Sequence, residues 1–291
     1  MAAQAADRRV RWSAELPRGR TQLQGWRSAL HLDLHHKAFQ EYHAKYKGGP
    51  LRDGVAGYFM PTTSWIFLFD DEGTAEKRIF EINKQVHEGV HQLEYWFTRQ
   101  RNKWRAPFVG QNAISEGIAE YLGAVEMDIH RKLRFVHLNP TRLNGMQQYA
   151  AQIKPRGREY PIFPIEKLVS FESYREATDW VTAERELPGA GVMLLYQQSW
   201  AFTYFLHEHE GGKYKEKWVT FFDSVLDRQT GSGMAASVFA RIFGLRDEDD
   251  WEALNDEWAD FVHEDLMKRD ASSTIYAPPG RNEWPDDGED D

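Results

Sequence analysis

Apolar residues recur at spacings of three and four through "DDEGTAEKRIFEINKQVHEGVHQLEYWFTRQ". Ile79, Ile82, Val86, Val90, Leu93 and Phe97 fall on one stripe, which predicts a helix over about residues 74–100. Just upstream, "VAGYFMPTTSWIFLFD" (55–70) sets two short aromatic and β-branched runs on either side of Pro61-Thr62-Thr63, the pattern of a hairpin or two adjacent strands. "ALHLDLHHKAFQEYHAKYK" (29–47) reads as a helix stopped by Gly48-Gly49-Pro50. Downstream, 102–112 reads as a loop and "AISEGIAEYLGAVEMD" (113–128) as a second helix. Five prolines, Pro140, Pro155, Pro161, Pro164 and Pro188, cut 139–190 into short pieces. "GVMLLYQQSWAFTYFLHEHEGG" (191–212) is apolar nearly all round, as a buried helix with a Gly-Gly stop would be. Amphipathic helices follow at about 213–227, 233–243 and 249–268, the last with Trp251, Leu254, Trp258, Phe261 and Val262 at helical spacing.

These patterns imply an α+β chain that is mostly α, with no internal repeat. Its expected organisation is an N-terminal extension with one helix (1–49), a single domain (50–268) and an acidic, disordered tail (269–291). At 291 residues, 41% hydrophobic and 14% aromatic, there is material for a sizeable core. The formal net charge of -9 argues against nucleic acid as the partner, because phosphate binding needs a basic face. Cysteine is absent, which excludes disulfides, thiolate zinc sites and a cysteine nucleophile. No apolar run reaches the ~18 residues of a membrane span. The start, "MAAQAADRRVRWSAEL", lacks the apolar core of a secretory signal. As it stands the chain is expected in the cytoplasm, or outside it if a leader has been removed.

Within the first long helix, "VHEGVHQLEYWF" (86–97) places polar, proton-exchanging groups in a greasy segment. Residues four apart lie on one face of a helix, so His87 and His91 can aim two imidazoles at one point. Glu88 lies about 100° round, beside that point, where it can reach a water without binding the metal. Two readings follow from the spacing: surface histidines on a helix, or two legs of a zinc site. Gly89, unfavourable in mid-helix, suggests a close approach by another backbone or by a ligand. A third ligand is offered by "ISEGIAEYLG", where Glu116 and Glu120 are also four apart. They are either solvated or turned towards another helix, and the small Ala119 and Gly123 beside them permit the close packing. In the second case Glu116 is the ligand and Glu120 accepts a histidine N–H from outside the coordination shell.

H-E-x-x-H on one helix, followed by "SEGIAE" on the next, resembles the gluzincin zinc metallopeptidases, which include thermolysin-like enzymes and zinc aminopeptidases. "AGYFMPTTSWIFLFDD" looks like the strand that edges the active site in that fold. "YQQSWAFTYFLHEHEGG" and "FGLRDEDDWEALNDEWADFV" resemble an uncharacterised group of bacterial peptidase-MA-like domains. The resemblance spans about residues 50–268. It implies a gluzincin-like catalytic domain: a small N-terminal β-sheet region, the HExxH helix, a glutamate-ligand helix and a C-terminal helical bundle. It further implies Zn²⁺ on His87, His91 and Glu116, with cobalt or manganese as substitutes. Glu120 would support a histidine, and Glu88 would take the proton of the attacking water. Tyr196 is then the first candidate for stabilising the oxyanion, with Tyr204, His207 and His209 as alternatives. One departure is the 24 residues between His91 and Glu116, more than in the better-known relatives. A motif for gripping a substrate amino terminus is also missing, so the expected activity is that of an endopeptidase acting on peptide or protein. The competing expectations are an inactive zinc-binding scaffold or sensor of the same fold, and a helical domain without metal. His35, His36, His130 and His137 show no ligand spacing and read as surface residues.

Overall fold

The computed structural model describes residues 31–35, 40, 41, 43, 44, 57–70, 75–102, 112–127, 133–157, 160–187, 189–227 and 233–269. The expected extension over 1–25, the loop 103–111 and the tail 270–291 lie outside the described residues. Two compact units divide the chain, Met1–Gln92 and Leu93–Asp291.

In the first unit, strands β1 (His31–His35), β2 (Gly57–Met60) and β3 (Trp65–Asp70) form a sheet ordered β1-β3-β2. β2 and β3 are the expected hairpin, antiparallel with Met60 opposite Trp65 and Gly57 opposite Leu68. Their turn closes through a bond from Thr63 N to Met60 O of 3.2 Å, and Ser64 takes a left-handed φ of 57°. Successive strand residues point to opposite faces, and Phe67 and Leu68 are both buried, so both faces of the central strand are covered. β1 runs parallel to β3 from His31 opposite Ile66 to His35 opposite Asp70. This corrects the helix expected over 29–47: "HLDLH" alternates polar and apolar residues, which suits a strand, and among the described residues of that stretch only 40, 41, 43 and 44 are helical.

Helix α1 (Ala75–Arg101) is close to the span expected from its periodicity. Which face is buried is not as expected. Val90 is buried, but Leu93 and Phe97 on the same stripe are 41% and 48% exposed. Lys84, Glu88, Glu94, Tyr95 and Thr98 are buried instead, so the inward seam of this helix is largely polar. Burying such groups is unfavourable unless each is paired, and local rules of patterning fail in this way mainly at functional sites.

Among its described residues, the second unit is helical apart from a two-stranded ribbon. α2 (Asn112–Gly123) ends five residues before the expected 128, and β4 (Val125–Met127) pairs antiparallel with β5 (Leu133–Phe135). α3 (Pro140–Ile153) starts at Asn139, whose side chain accepts from Arg142 N at 3.1 Å, with proline at the first helical position. The short α4 (Ile165–Ser170) and α5 (Tyr174–Arg185) follow, the latter capped by Ser173. α6 (Gly191–Glu208) is the centre of the unit, with Leu194, Leu195, Trp200, Phe202, Phe205 and Leu206 buried. Its uniform apolarity follows from neighbours on every side: α2, α3, α4, α5 and the following helix all pack on it. The Gly-Gly stop is realised, with Gly211 and Gly212 at φ 70° and 97°.

α2 approaches α6 at Gly117. A Cβ there would sit 2.5 Å from Ser199 O and closer still to Thr203 Oγ1, so only glycine permits this spacing. α7 (Lys215–Leu226), α8 (Ala235–Phe243) and α9 (Glu248–Asp260) complete the bundle, and one π turn, Phe261–Asp265, continues α9. Their aromatic residues interlock with α6 and with one another: Phe202 meets Trp258 edge-on at 5.7 Å, and Phe221 meets Phe239 edge-on at 5.1 Å. The expected mostly-α, α+β class is therefore found. Among the described residues, no helix is long and apolar enough to cross a membrane.

Candidate metal centre

His87 and His91 stand one turn apart on α1, both half-buried. Their Nε2 atoms are 3.1 Å apart, and the rings are nearly perpendicular at 86°. Two nitrogens on a tetrahedral zinc, bonded at about 2.1 Å, would stand about 3.4 Å from each other. The pair is thus close to ligating geometry. Glu88 is 7% exposed. It lies beside β2, since a Cβ built on Gly57 would be 3.5 Å from Glu88 Cγ. The turn after β2 is tied to the same helix by Gln92 Nε2, which donates to Ser64 O at 2.8 Å. Among the described residues, a Cβ placed on Gly89 would meet nothing within 4 Å, so of the two approaches expected there, by another backbone or by a ligand, that of a backbone is not seen among them.

Glu116 and Glu120 on α2 are each 6% exposed, which rules out the solvated reading. One ligand atom from each of His87, His91 and Glu116 lies within 4.8 Å of the other two. Two imidazole nitrogens and a carboxylate oxygen suit a divalent ion of the zinc type, and three protein ligands are what a catalytic zinc site carries. The residues present therefore fit a metal.

Around the carboxylates is a set of partners that the sequence does not signal. Tyr174, first residue of α5, donates its hydroxyl proton to Glu116 Oε1. Tyr174 Oη is also 3.0 Å from Tyr196 Oη on α6. Arg142 of α3 forms an ion pair with Glu120 Oε1, while Asn139 Nδ2 donates to Oε2 at 2.8 Å. The Arg142 guanidinium also lies over the Tyr196 ring, 4.8 Å from its centre. Ser115 donates to Glu94 of α1. Burial opposes the charge on Arg142, yet the neighbouring Glu120 carboxylate holds its pKa above the ordinary value. Burial, and then the charge of Glu116, push the pKa of Tyr174 and of Tyr196 upward. Both stay protonated donors at neutral pH.

The alternatives to Tyr196 are engaged elsewhere. Tyr204 lies eight residues further along α6, about 12 Å by helical rise, and its hydroxyl accepts from Arg269 Nη1 at 2.8 Å. His209 Nε2 is 2.9 Å from Glu257 Oε1. His209, Glu210 and Glu257 also have ligand atoms within 4.8 Å of one another. There the chain supplies its own cation: Lys213 Nζ is 2.5 Å from Glu257 and 3.5 Å from Glu210. His207 stacks on Tyr121 at 4.7 Å, and His137 stacks on the same tyrosine at 4.2 Å. His137 is thus half-buried in an aromatic stack, not the surface residue expected; its carbonyl accepts from Trp200 Nε1 at 3.0 Å. His35, by its side chain, and His36 and His130 lie outside the described residues.

Burial, helped by the Lys215 charge, lowers the pKa of His207 to about 4. The ordinary value is about 6.5 in the unfolded chain, so between about pH 6.5 and 4 the unfolded chain binds the extra proton. Stability should therefore fall as pH drops through this window. Thermal unfolding of the full chain is expected at lower temperature at about pH 5 than at about pH 7, with a smaller decline in His207→Phe. Equal declines in both proteins would refute this assignment.

The chain matches no family model, no curated protein and no solved structure.

Proposed function

We propose that the chain is a zinc-dependent hydrolase of peptide bonds, an endopeptidase of gluzincin type. The observation that carries this reading is the meeting of His87, His91 and the buried Glu116, with ligand atoms within 4.8 Å, on a sequence that puts Glu88 between the histidines. A scaffold has no need of a carboxylate at that position. Zinc held by these three groups supplies Lewis acidity, polarising the scissile carbonyl and lowering the pKa of water to about 7.

Glu88 performs the proton transfers. It takes the proton from the attacking water and delivers it to the leaving nitrogen as the C–N bond breaks. Its low exposure keeps bulk water from competing for that proton. A peptide substrate is supported by β2, the outer strand of its sheet among the described residues, with Gly57 beside Glu88. An extended peptide adds readily to such an edge, and main-chain hydrogen bonds there are indifferent to sequence.

The test is digestion of a broad peptide library by the zinc-loaded chain, read by mass spectrometry. Internal cleavage is expected, abolished by a chelator and restored by zinc. A library left intact by a fully loaded chain would leave only a zinc-binding scaffold.

A further inference from the structure

Two phenols stand beside the third ligand, and counting their protons assigns them a role. Tyr174 Oη donates to Glu116 Oε1 and lies 3.0 Å from Tyr196 Oη. Each phenol has one proton, and an ionised carboxylate only accepts. The proton of Tyr174 is therefore given to Glu116, and the bond between the phenols is donated by Tyr196. The order is Tyr196 to Tyr174 to Glu116.

We infer that this two-tyrosine chain positions the metal-binding carboxylate: Tyr174 holds Oε1 of Glu116, leaving Oε2 as the single ligating oxygen, and Tyr196 orients Tyr174. The inference rests on the zinc reading above and departs from it in one respect: Tyr196 is a positioning residue, not the donor to the substrate oxyanion. Three helices meet in this arrangement, since Glu116 is on α2, Tyr174 opens α5 and Tyr196 is on α6. The first turn of α5 is fixed by its cap, with Ser173 Oγ accepting from Glu176 N at 3.2 Å. The two rings stack at 5.8 Å and 25°, and Arg142 covers the far ring at 4.8 Å from its centre. A ligand held this way is presented in one orientation before the metal arrives, which is how groups outside the coordination shell raise affinity.

The experiment measures zinc affinity by chelator competition in the full chain, for wild type, Glu116→Gln, Tyr174→Phe, Tyr196→Phe and the double tyrosine variant. Circular dichroism confirms that each is folded. Tyr174→Phe should bind zinc about 10- to 100-fold more weakly. Tyr196→Phe should lose less, and should add nothing in the Tyr174→Phe background, because it acts through that residue. Cobalt gives a second readout. With Tyr174 gone, the released oxygen of Glu116 can also bind, and the visible absorption of the Co²⁺ form should weaken as coordination rises from four towards five. Affinity lost in Glu116→Gln but intact in Tyr174→Phe, with an unchanged cobalt spectrum, would overturn the relay alone. Independent losses from the two tyrosines would also overturn it. Wild type that binds no zinc, or binding indifferent to Glu116→Gln, would overturn the metal reading and the relay with it.

Discussion

Glu88→Gln is expected to retain full zinc content and to lose peptide hydrolysis by roughly 10²- to 10⁴-fold, the range that a positioned general base supplies. The amide matches the carboxylate in volume, so packing beside Gly57 is preserved. What disappears is the basic oxygen that takes the water's proton. Because Glu88 is not among the three residues whose ligand atoms converge, metal affinity should be unaffected. The loss should fall on kcat far more than on KM, since Glu88 acts in the transition state and not in holding the peptide. Mass-spectrometric digestion with zinc content measured on the same preparation checks this. Hydrolysis unchanged in a pure variant would remove Glu88 from the chemistry.

The second large effect is structural. Gly117→Ala should destabilise the fold by about 3 kcal/mol, at the upper end of overpacking costs. The obstacle is backbone, Ser199 O at 2.5 Å, which cannot swing aside as a side chain can. To admit the methyl group, α2 must move away from α6, and Glu116 is the neighbouring residue on α2. Thermal unfolding should therefore shift down by about 6–12 °C for a unit of this size. Zinc affinity should fall together with it. An unchanged melting temperature would mean that the two helices are not packed as described.

Much of this architecture is legible in the sequence, for identifiable reasons. The hairpin around Pro61–Ser64, the long α1, the buried α6 and the C-terminal helices all announce themselves through periodicity and glycine or proline boundaries. The HExxH spacing points to His87 and His91 because helical geometry makes i and i+4 neighbours. Short elements escape such a reading where a local pattern is outvoted by its surroundings: "HLDLH" inside a longer helical stretch, and Val125–Met127 just after Gly123. The buried face of α1 departs from its pattern for a deeper reason. An apolar stripe predicts the inward side only when burial is driven by apolar area, yet here Glu88 and Glu94 are buried while Phe97 is exposed. The groups that make buried carboxylates tolerable are invisible in one dimension. Tyr174 meets Glu116 across 58 positions, and Arg142 meets Glu120 across 22. Asn139-Pro140 can be read as a helix start, but nothing in that pair reveals that the Asn139 amide also holds Glu120.

Metal analysis of the purified chain after equilibration with zinc tests the central claim most directly, with His91→Ala and Glu116→Ala treated alongside. One zinc per wild-type chain is predicted, with little or none retained by either variant after gel filtration. A wild-type chain that emerges without zinc, or variants that hold as much as wild type, would contradict the convergence of these two histidines and this glutamate on one ion.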